Sequence, residues 1–186
     1  SYARAGQPQL AAERFETLLS TAAYAGSKYL PEAALGLGEA KLDQNQPEEA
    51  ATLIEAWLKK NGKHPSAAQA HFLVGRARYA LKDYDAALAS FGSVPTLTRS
   101  DVAAQSQFYI GQVLQARNDF SGASLAYLRV EALYPEAREW VPASMFERGK
   151  CCEALGQKEE AVGIFRNVAE QYKGTKWAEL AAERLK

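Results

Sequence analysis

The residues with the greatest chemical potential here are few. His64 and His71 stand seven apart, but a transition-metal site would need cysteines or carboxylates at ligand spacing around them, and none are there. Cys151 and Cys152 are adjacent; a reactive thiol pair needs an exposed, electropositive setting, and neighbours in sequence cannot build a disulfide framework. Glu48–Glu49 and Glu159–Glu160 are paired carboxylates, the raw material of general acid–base catalysis. Each pair precedes an alanine-rich helical pattern, where carboxylates in a first turn complement the helix dipole. No nucleophile has an evident base, and no glycine loop could cradle a phosphate. The chain is therefore expected to be non-catalytic, with no cofactor and no metal.

Bulk composition removes further classes. Lys+Arg and Asp+Glu are both 22 in 186 residues, so the formal charge is zero. Nothing in that balance draws the chain as a whole toward nucleic acid or an anionic membrane. No apolar run approaches the roughly 18 residues of a membrane span, so no direct membrane insertion is expected. The length suits one ordinary domain, and alanine-rich helical spacing with only seven prolines indicates an all-α chain.

The elements that would position any functional residue are set by a repeat. A nine-residue phrase, DYDAALASF at 83–91, has near-copies at 7–15, 46–54, 119–127 and 157–165. A glycine-ending pentad stands at 34–38 (ALGLG), 71–75 (HFLVG), 107–111 (QFYIG) and 145–149 (MFERG). From pentad glycine to the following phrase is always eight residues: 38→46, 75→83, 111→119, 149→157. From phrase end to the next pentad the distance varies: 15→34, 54→71, 91→107, 127→145. A rigid helix–turn–helix joined by adjustable loops has this pattern, and a period of this size signals stacked supersecondary units.

Each second helix pairs a small residue with a large one four positions on, hence on one face: Ala11/Phe15, Ala50/Ile54, Ala87/Phe91, Ala123/Tyr127 and Ala161/Phe165. The alanine would let the helices of a repeat approach, and the large residue would fill the space toward the next repeat. Glycines 38, 75, 111 and 149 fall mid-helix, where glycine costs about 1 kcal/mol relative to alanine, so a close helix crossing is expected at each. Pro8 and Pro47 suit a first helical turn. Gly92 and Pro95 predict an unusually short helix after Tyr84. The opening SYARAG reads as a helix tail closed by Gly6. The boundaries follow: a partial repeat at 1–30, repeats at 31–65, 66–98, 99–136 and 137–174, and a terminal helix at 175–186. About eleven helices are expected, in a single domain read as a fragment of a longer protein.

These residues resemble tetratricopeptide repeats. Leu37-Gly38, Val74-Gly75, Ile110-Gly111, DYDAALASF and Pro135 match that family's pattern across essentially the whole chain. Departures are a period of 36–39 residues, Arg148 at an apolar position, and Lys41 and Arg78 where the family favours an aromatic. The longer period, with ALYPEA at 132–137 and EQYKGTKWAELAAERL at 170–185, is similar to envelope members such as the Tol–Pal coordinator and outer-membrane assembly lipoproteins, which implies a periplasmic or envelope setting. The resemblance implies a right-handed superhelical solenoid of antiparallel helix pairs, whose first helices line a concave, peptide-binding face.

By the same resemblance, the concave face carries three columns. Three residues before each pentad glycine stand Leu35, Phe72, Phe108 and Phe146; one after it, Glu39, Arg76, Gln112 and Lys150; four after it, Leu42, Tyr79, Gln115 and Glu153. An apolar column flanked by polar ones suits an amphipathic helix or an extended segment. The aromatics either line this groove or pack between neighbouring first helices. The lysine-and-asparagine clamp for a terminal carboxylate is absent from these positions. The expected function is a protein–protein interaction scaffold for a protein or peptide partner, not nucleic acid. The alternative is a structural segment that self-associates and binds no separate ligand.

Overall fold

The computed structural model describes residues 8–21, 27 and 29–186. The SYARAG segment lies outside the described residues. Among those described there are ten helices and no strand: α1 (Pro8–Ser20), α2 (Leu30–Asp43), α3 (Pro47–Asn61), α4 (Ala67–Ala80), α5 (Tyr84–Leu97), α6 (Asp101–Ala116), α7 (Phe120–Leu133), α8 (Trp140–Ala154), α9 (Lys158–Gln171) and α10 (Lys176–Arg184). The all-α solenoid of helix pairs is thus present, with ten described helices against an expectation of about eleven. Helices α2, α4, α6 and α8 carry the pentads and are called A helices; α3, α5, α7 and α9 carry the phrases and are called B helices. The chain divides into two compact units, Ser1–Leu97 and Thr98–Lys186. Within each, every helix packs on the next, and alternate helices also touch: α2 and α4 in the first unit, α6 and α8, and α8 and α10, in the second.

The mid-helix glycines explain the fixed spacing. A methyl group on Gly38 would stand 2.5 Å from the Ile54 side chain, on Gly75 2.5 Å from Phe91, and on Gly149 2.5 Å from Phe165; on Gly111 it would strike Tyr127. In every repeat the large residue of helix B sits over the glycine of its own helix A, sixteen positions earlier in the chain. The expectation that this residue fills space toward the next repeat needs correcting: its ring or branch occupies the place that a Cβ on helix A would take. Phe15 on α1 lies instead against Gly36 of α2. One turn earlier on helix B, Ala50, Ala87 and Ala123 are fully buried and Ala161 nearly so, which keeps the two backbones close.

The eight-residue interval encodes one turn, built four times. Asn45, Lys82, Asn118 and Gly156 all have positive φ, at 59°, 60°, 62° and 76°. At each, two carbonyls that a helix C-terminus leaves unpaired are recovered. Asn45 N–H donates to Leu42 and Gln46 N–H to Lys41; Lys82 to Tyr79 and Asp83 to Arg78; Asn118 to Gln115 and Asp119 to Leu114; Gly156 to Glu153 and Gln157 to Cys152. This pair of bonds around a left-handed residue is the Schellman closure. The phrase's first residue then starts helix B, and the Asp119 carboxylate caps α7 by accepting from Gly122 N–H at 2.9 Å.

The three basic departures from the family pattern have a shared job. Lys41 on α2 lies 3.4 Å from Glu16 on α1 and 3.0 Å from Glu49 on α3. Arg78 on α4 pairs with Glu55 on α3 and, at 3.7 Å, with Asp83 at the start of α5. Arg148 on α8 lies 3.6 Å from Glu131 on α7 and 3.1 Å from Glu160 on α9. Each cation therefore links its helix A to the helix before it and to its own helix B or the turn that starts it. Hydrogen bonding to Glu49, with Glu16 adding to it, raises the Lys41 pKa against the opposing effect of burial. The acidic side chains keep 36–58 % of their surface exposed, so each pair contributes at most about 1 kcal/mol.

One expectation fails outright. Helix α5 is not short: it runs Tyr84–Leu97, with Pro95 inside it. Proline disrupts a helix through the turn preceding it, and Pro95, two residues before the end, confines that cost to the last turn. The fully buried Phe91 and Val94 hold that turn against the core, and the hydroxyls of Ser93 and Thr96 donate to the carbonyls of Ala89 and Ser93.

Two outcomes follow from this packing. Gly75→Ala gains about 1 kcal/mol of helix propensity but drives a methyl into the fully buried Phe91, a clash at or above the usual overpacking cost of about 1–3 kcal/mol. Its thermal midpoint should fall. Gly163→Ala, with open space at its Cβ, should gain about 1 kcal/mol and melt higher; equal shifts of one sign in the two variants would refute the glycine–aromatic contact. Lys82→Gly removes the penalty of a side chain in left-handed backbone and should raise stability by about 1 kcal/mol in chemical denaturation.

Candidate functional site

The first column expected on the A helices is buried. Leu35 is 5 % exposed, Phe72 2 %, and Phe108 and Phe146 6 % each. Phe72 packs on Phe91 at 5.8 Å between ring centres. Phe108 meets Tyr127 at 5.5 Å and Trp140 at 5.3 Å; Phe146 meets Phe165 at 5.6 Å and Trp177 at 5.6 Å. In the second unit each aromatic is thus held between its own helix B and a tryptophan from the next helix along, α8 or α10. Burial of this kind stabilises by roughly 1.5–3 kcal/mol per side chain and fixes the spacing of the A helices beneath their outer faces.

The polar columns are half-exposed and largely paired. In the first unit, Arg76 on α4 reaches across to α2, 3.9 Å from Glu39 and 3.6 Å from Asp43. Tyr79 packs on Tyr84 at 6.2 Å, and Leu42 packs against Ala50, Ala51 and Ala77. In the second unit, Lys150 donates to Glu147 at 2.7 Å and stands over the Phe146 ring. Arg184 on α10 donates to Glu153 on α8 at 3.0 Å. Gln115 accepts from the Tyr127 hydroxyl at 2.9 Å, so the ring that fills the Gly111 gap also fixes a side chain one turn further on. Gln112 is half-exposed.

The sequence reading missed several residues that share these faces: Asp43, Gln105, Tyr109, Glu147 and Arg184. Gln105 and Tyr109 lie seven and three positions before Gln112, spacings that place all three on one helical stripe. Glu147 lies three before Lys150, a spacing that marks a helical ion pair. Both signals were available in the sequence. The Arg184 contact depends on how α10 seats against α8, which has no local signature.

The remaining reactive groups are enclosed. Cys151 is fully buried and Cys152 nearly so. Burial first, then the nearby Glu147, pushes the Cys151 thiol up to about 12, and burial also raises Cys152. Burial lowers the His71 pKa. His64 accepts from Ser66 N–H through Nδ1 at 3.2 Å, and its ring stands edge-on to Trp57. No group of three His, Cys, Asp or Glu among the described residues could hold a metal ion. No described helix is long and apolar enough to cross a membrane. Because the folded Cys151 pKa lies above the ordinary 9.0, its thiol supports the fold fully below pH 9 and loses that contribution as pH rises toward 12. Cys151→Ala should therefore show a shallower fall of stability between pH 9 and 12. A thiol reagent at neutral pH should label neither cysteine until denaturant is added; rapid labelling of the native chain would contradict the burial.

Among curated proteins none matches this sequence. The tetratricopeptide repeat models match residues 1–59, 35–101 and 143–175. Solved structures with the same fold include a variant of the kinesin light chain TPR-like repeats of Podosopora anserina, at 22 % identity and a TM-score of 0.73, covering 90 % of this chain and 87 % of that one. MamA is similar at 19 % identity and 0.71, covering 97 % and 94 %. MamA from residue 41 onward of Desulfovibrio magneticus is similar at 19 % and 0.70, covering 93 % and 91 %. Residues 102–142 lie between the matched segments, yet they contain the Gly111–Tyr127 contact and the Asn118 turn of the other repeats. The chain belongs to the tetratricopeptide repeat family.

Proposed function

We propose that the outer faces of the A helices bind a segment of another protein, and that the chain is a non-catalytic scaffold for that contact. Repeats of this family typically serve protein–protein interaction. The observation that carries the reading to these faces is the contrast between a fixed floor and a polar surface. In each unit buried aromatics locked ring to ring lie beneath half-exposed polar residues on packed helices: Glu39 and Arg76 in the first unit, Gln112 and Lys150 in the second. A preorganised surface of this kind spends little ordering entropy on binding, and the polar side chains set register. Leu35, Phe72, Phe108 and Phe146 then act as the floor that positions the contacts, with Tyr79 and Gln115 at its edge. The endings ALYPEA and EQYKGTKWAELAAERL support a bacterial envelope setting, which fractionation of the native host would test.

A photo-crosslinking amino acid placed at Gln112 and, separately, at Arg166 on the exposed side of α9 tests the reading in native lysate. Adducts with a distinct partner protein are expected from the Gln112 position only. Lys150→Glu, in the same unit as Gln112, should weaken the same partner about tenfold or more. Equal adducts from both positions would remove the A-helix faces from the function. Adducts made solely of second copies of the chain would replace partner binding with self-association.

A further inference from the structure

The outer face of α7 differs in kind from those of the other B helices. Ala123, Ala126, Tyr127 and Val130 are buried on one side of it. On the opposite side Ser121, Leu125, Leu128 and Ala132 stand exposed at i, i+4, i+7 and i+11, one stripe about three turns long. Leu125 is 50 % and Leu128 38 % exposed, with Arg129 and Leu133 at the margin. Counted from the start of each phrase, the same four positions are Glu159, Gly163, Arg166 and Glu170 on α9. They are Glu48, Thr52, Glu55 and Lys59 on α3, and Asp85, Ala89, Gly92 and Thr96 on α5. Among the B helices, the uncharged leucine stripe belongs to α7 alone.

Single exposed leucines are common and need no partner; the order of these four residues is what selects one. The stripe reads small, large, large, small, with intervals of four, three and four residues in either direction. Its midpoint falls between Ala126 and Tyr127. We infer that two copies of the chain associate through α7, antiparallel about a two-fold axis that passes this midpoint. In that register each Leu125 lies beside the second copy's Leu128, and each Ser121 opposite the second copy's Ala132. Such a face is complementary to itself, as an isologous pair requires; a ligand of another sequence gives the symmetry no purpose. The leucines interleave as the ridges of one helix enter the grooves of the other, and the small end residues let the backbones approach. One helix against one helix buries less than about 1,200 Å², the range of weak, exchanging pairs. Because α7 packs on α6 and α8 with its buried side, the stripe points away from those A helices, and the inference does not depend on what their faces bind.

Sedimentation velocity of the full chain from about 10 μM to about 1 mM reads the association. A reversible monomer–dimer equilibrium is expected within that range. Leu125→Glu with Leu128→Glu, both at exposed positions and melting like the parent chain, sets like charges across the axis and should weaken the dimer about tenfold or more. Leu125→Lys with Leu128→Glu sets opposite charges across it and should associate about tenfold more tightly than the double glutamate variant. In a parallel pair Leu125 would meet Leu125 instead, and the two variants would be equally weak; that result would overturn the register and the inference with it. A strict monomer at about 1 mM would overturn it too, as would a dimer undiminished in the double glutamate variant. A photo-crosslinking amino acid at Leu125 that joined the chain in native lysate only to a different protein would give the stripe another occupant and overturn it as well.

Discussion

A side chain of helix B standing where helix A has none is the contact on which each helix pair depends. Glycine in the middle of a helix costs about 1 kcal/mol, and the chain accepts this at Gly38, Gly75, Gly111 and Gly149 alike. The return is burial of Ile54, Phe91, Tyr127 and Phe165 at 0–1 % exposure. Because the contact spans sixteen residues with a tight turn between, both partners lie in one hairpin. Each hairpin therefore specifies its own crossing, and stacking covers the apolar sides that remain. This is the one-dimensional logic of repeat proteins.

Much of that was legible in the sequence, for a physical reason. A constant eight residues from glycine to phrase admits one turn geometry, and four closures with the same two hydrogen bonds are the outcome. The mid-helix glycines announced a close approach by their recurrence alone. Their partner was less legible: the large residue of helix B could have pointed to either neighbouring helix A, and only packing decides. The full length of α5 also escaped local reading, because the position of Pro95 relative to buried Phe91 and Val94 matters more than proline's presence.

The candidate faces were legible in part. Register alone placed Phe72, Phe108 and Phe146 on the A helices. The burial of Phe108 and Phe146 follows from Trp140 and Trp177, which arrive from the following helices across connectors of variable length. The polar residues above them were more easily located than understood: Asp43, a partner of Arg76, stands 33 positions away in sequence, and Arg184, the partner of Glu153, stands 31 away. Lys41, Arg78 and Arg148 read as departures from a family pattern, and in three dimensions each ties its A helix to the helix before it and to the start of the one after. An exception in one repeat was a contact with the one before it.

The three tryptophans of the chain occupy three different joints. Trp57 lies buried beside His64 in the first unit, Trp140 joins α8 to α6, and Trp177 joins α10 to α8. Nature has in effect installed a separate lamp at each of these seams. Two at a time replaced by phenylalanine, the survivor's emission would watch a single seam open, so the order in which the stack comes apart can be read by light without attaching any dye.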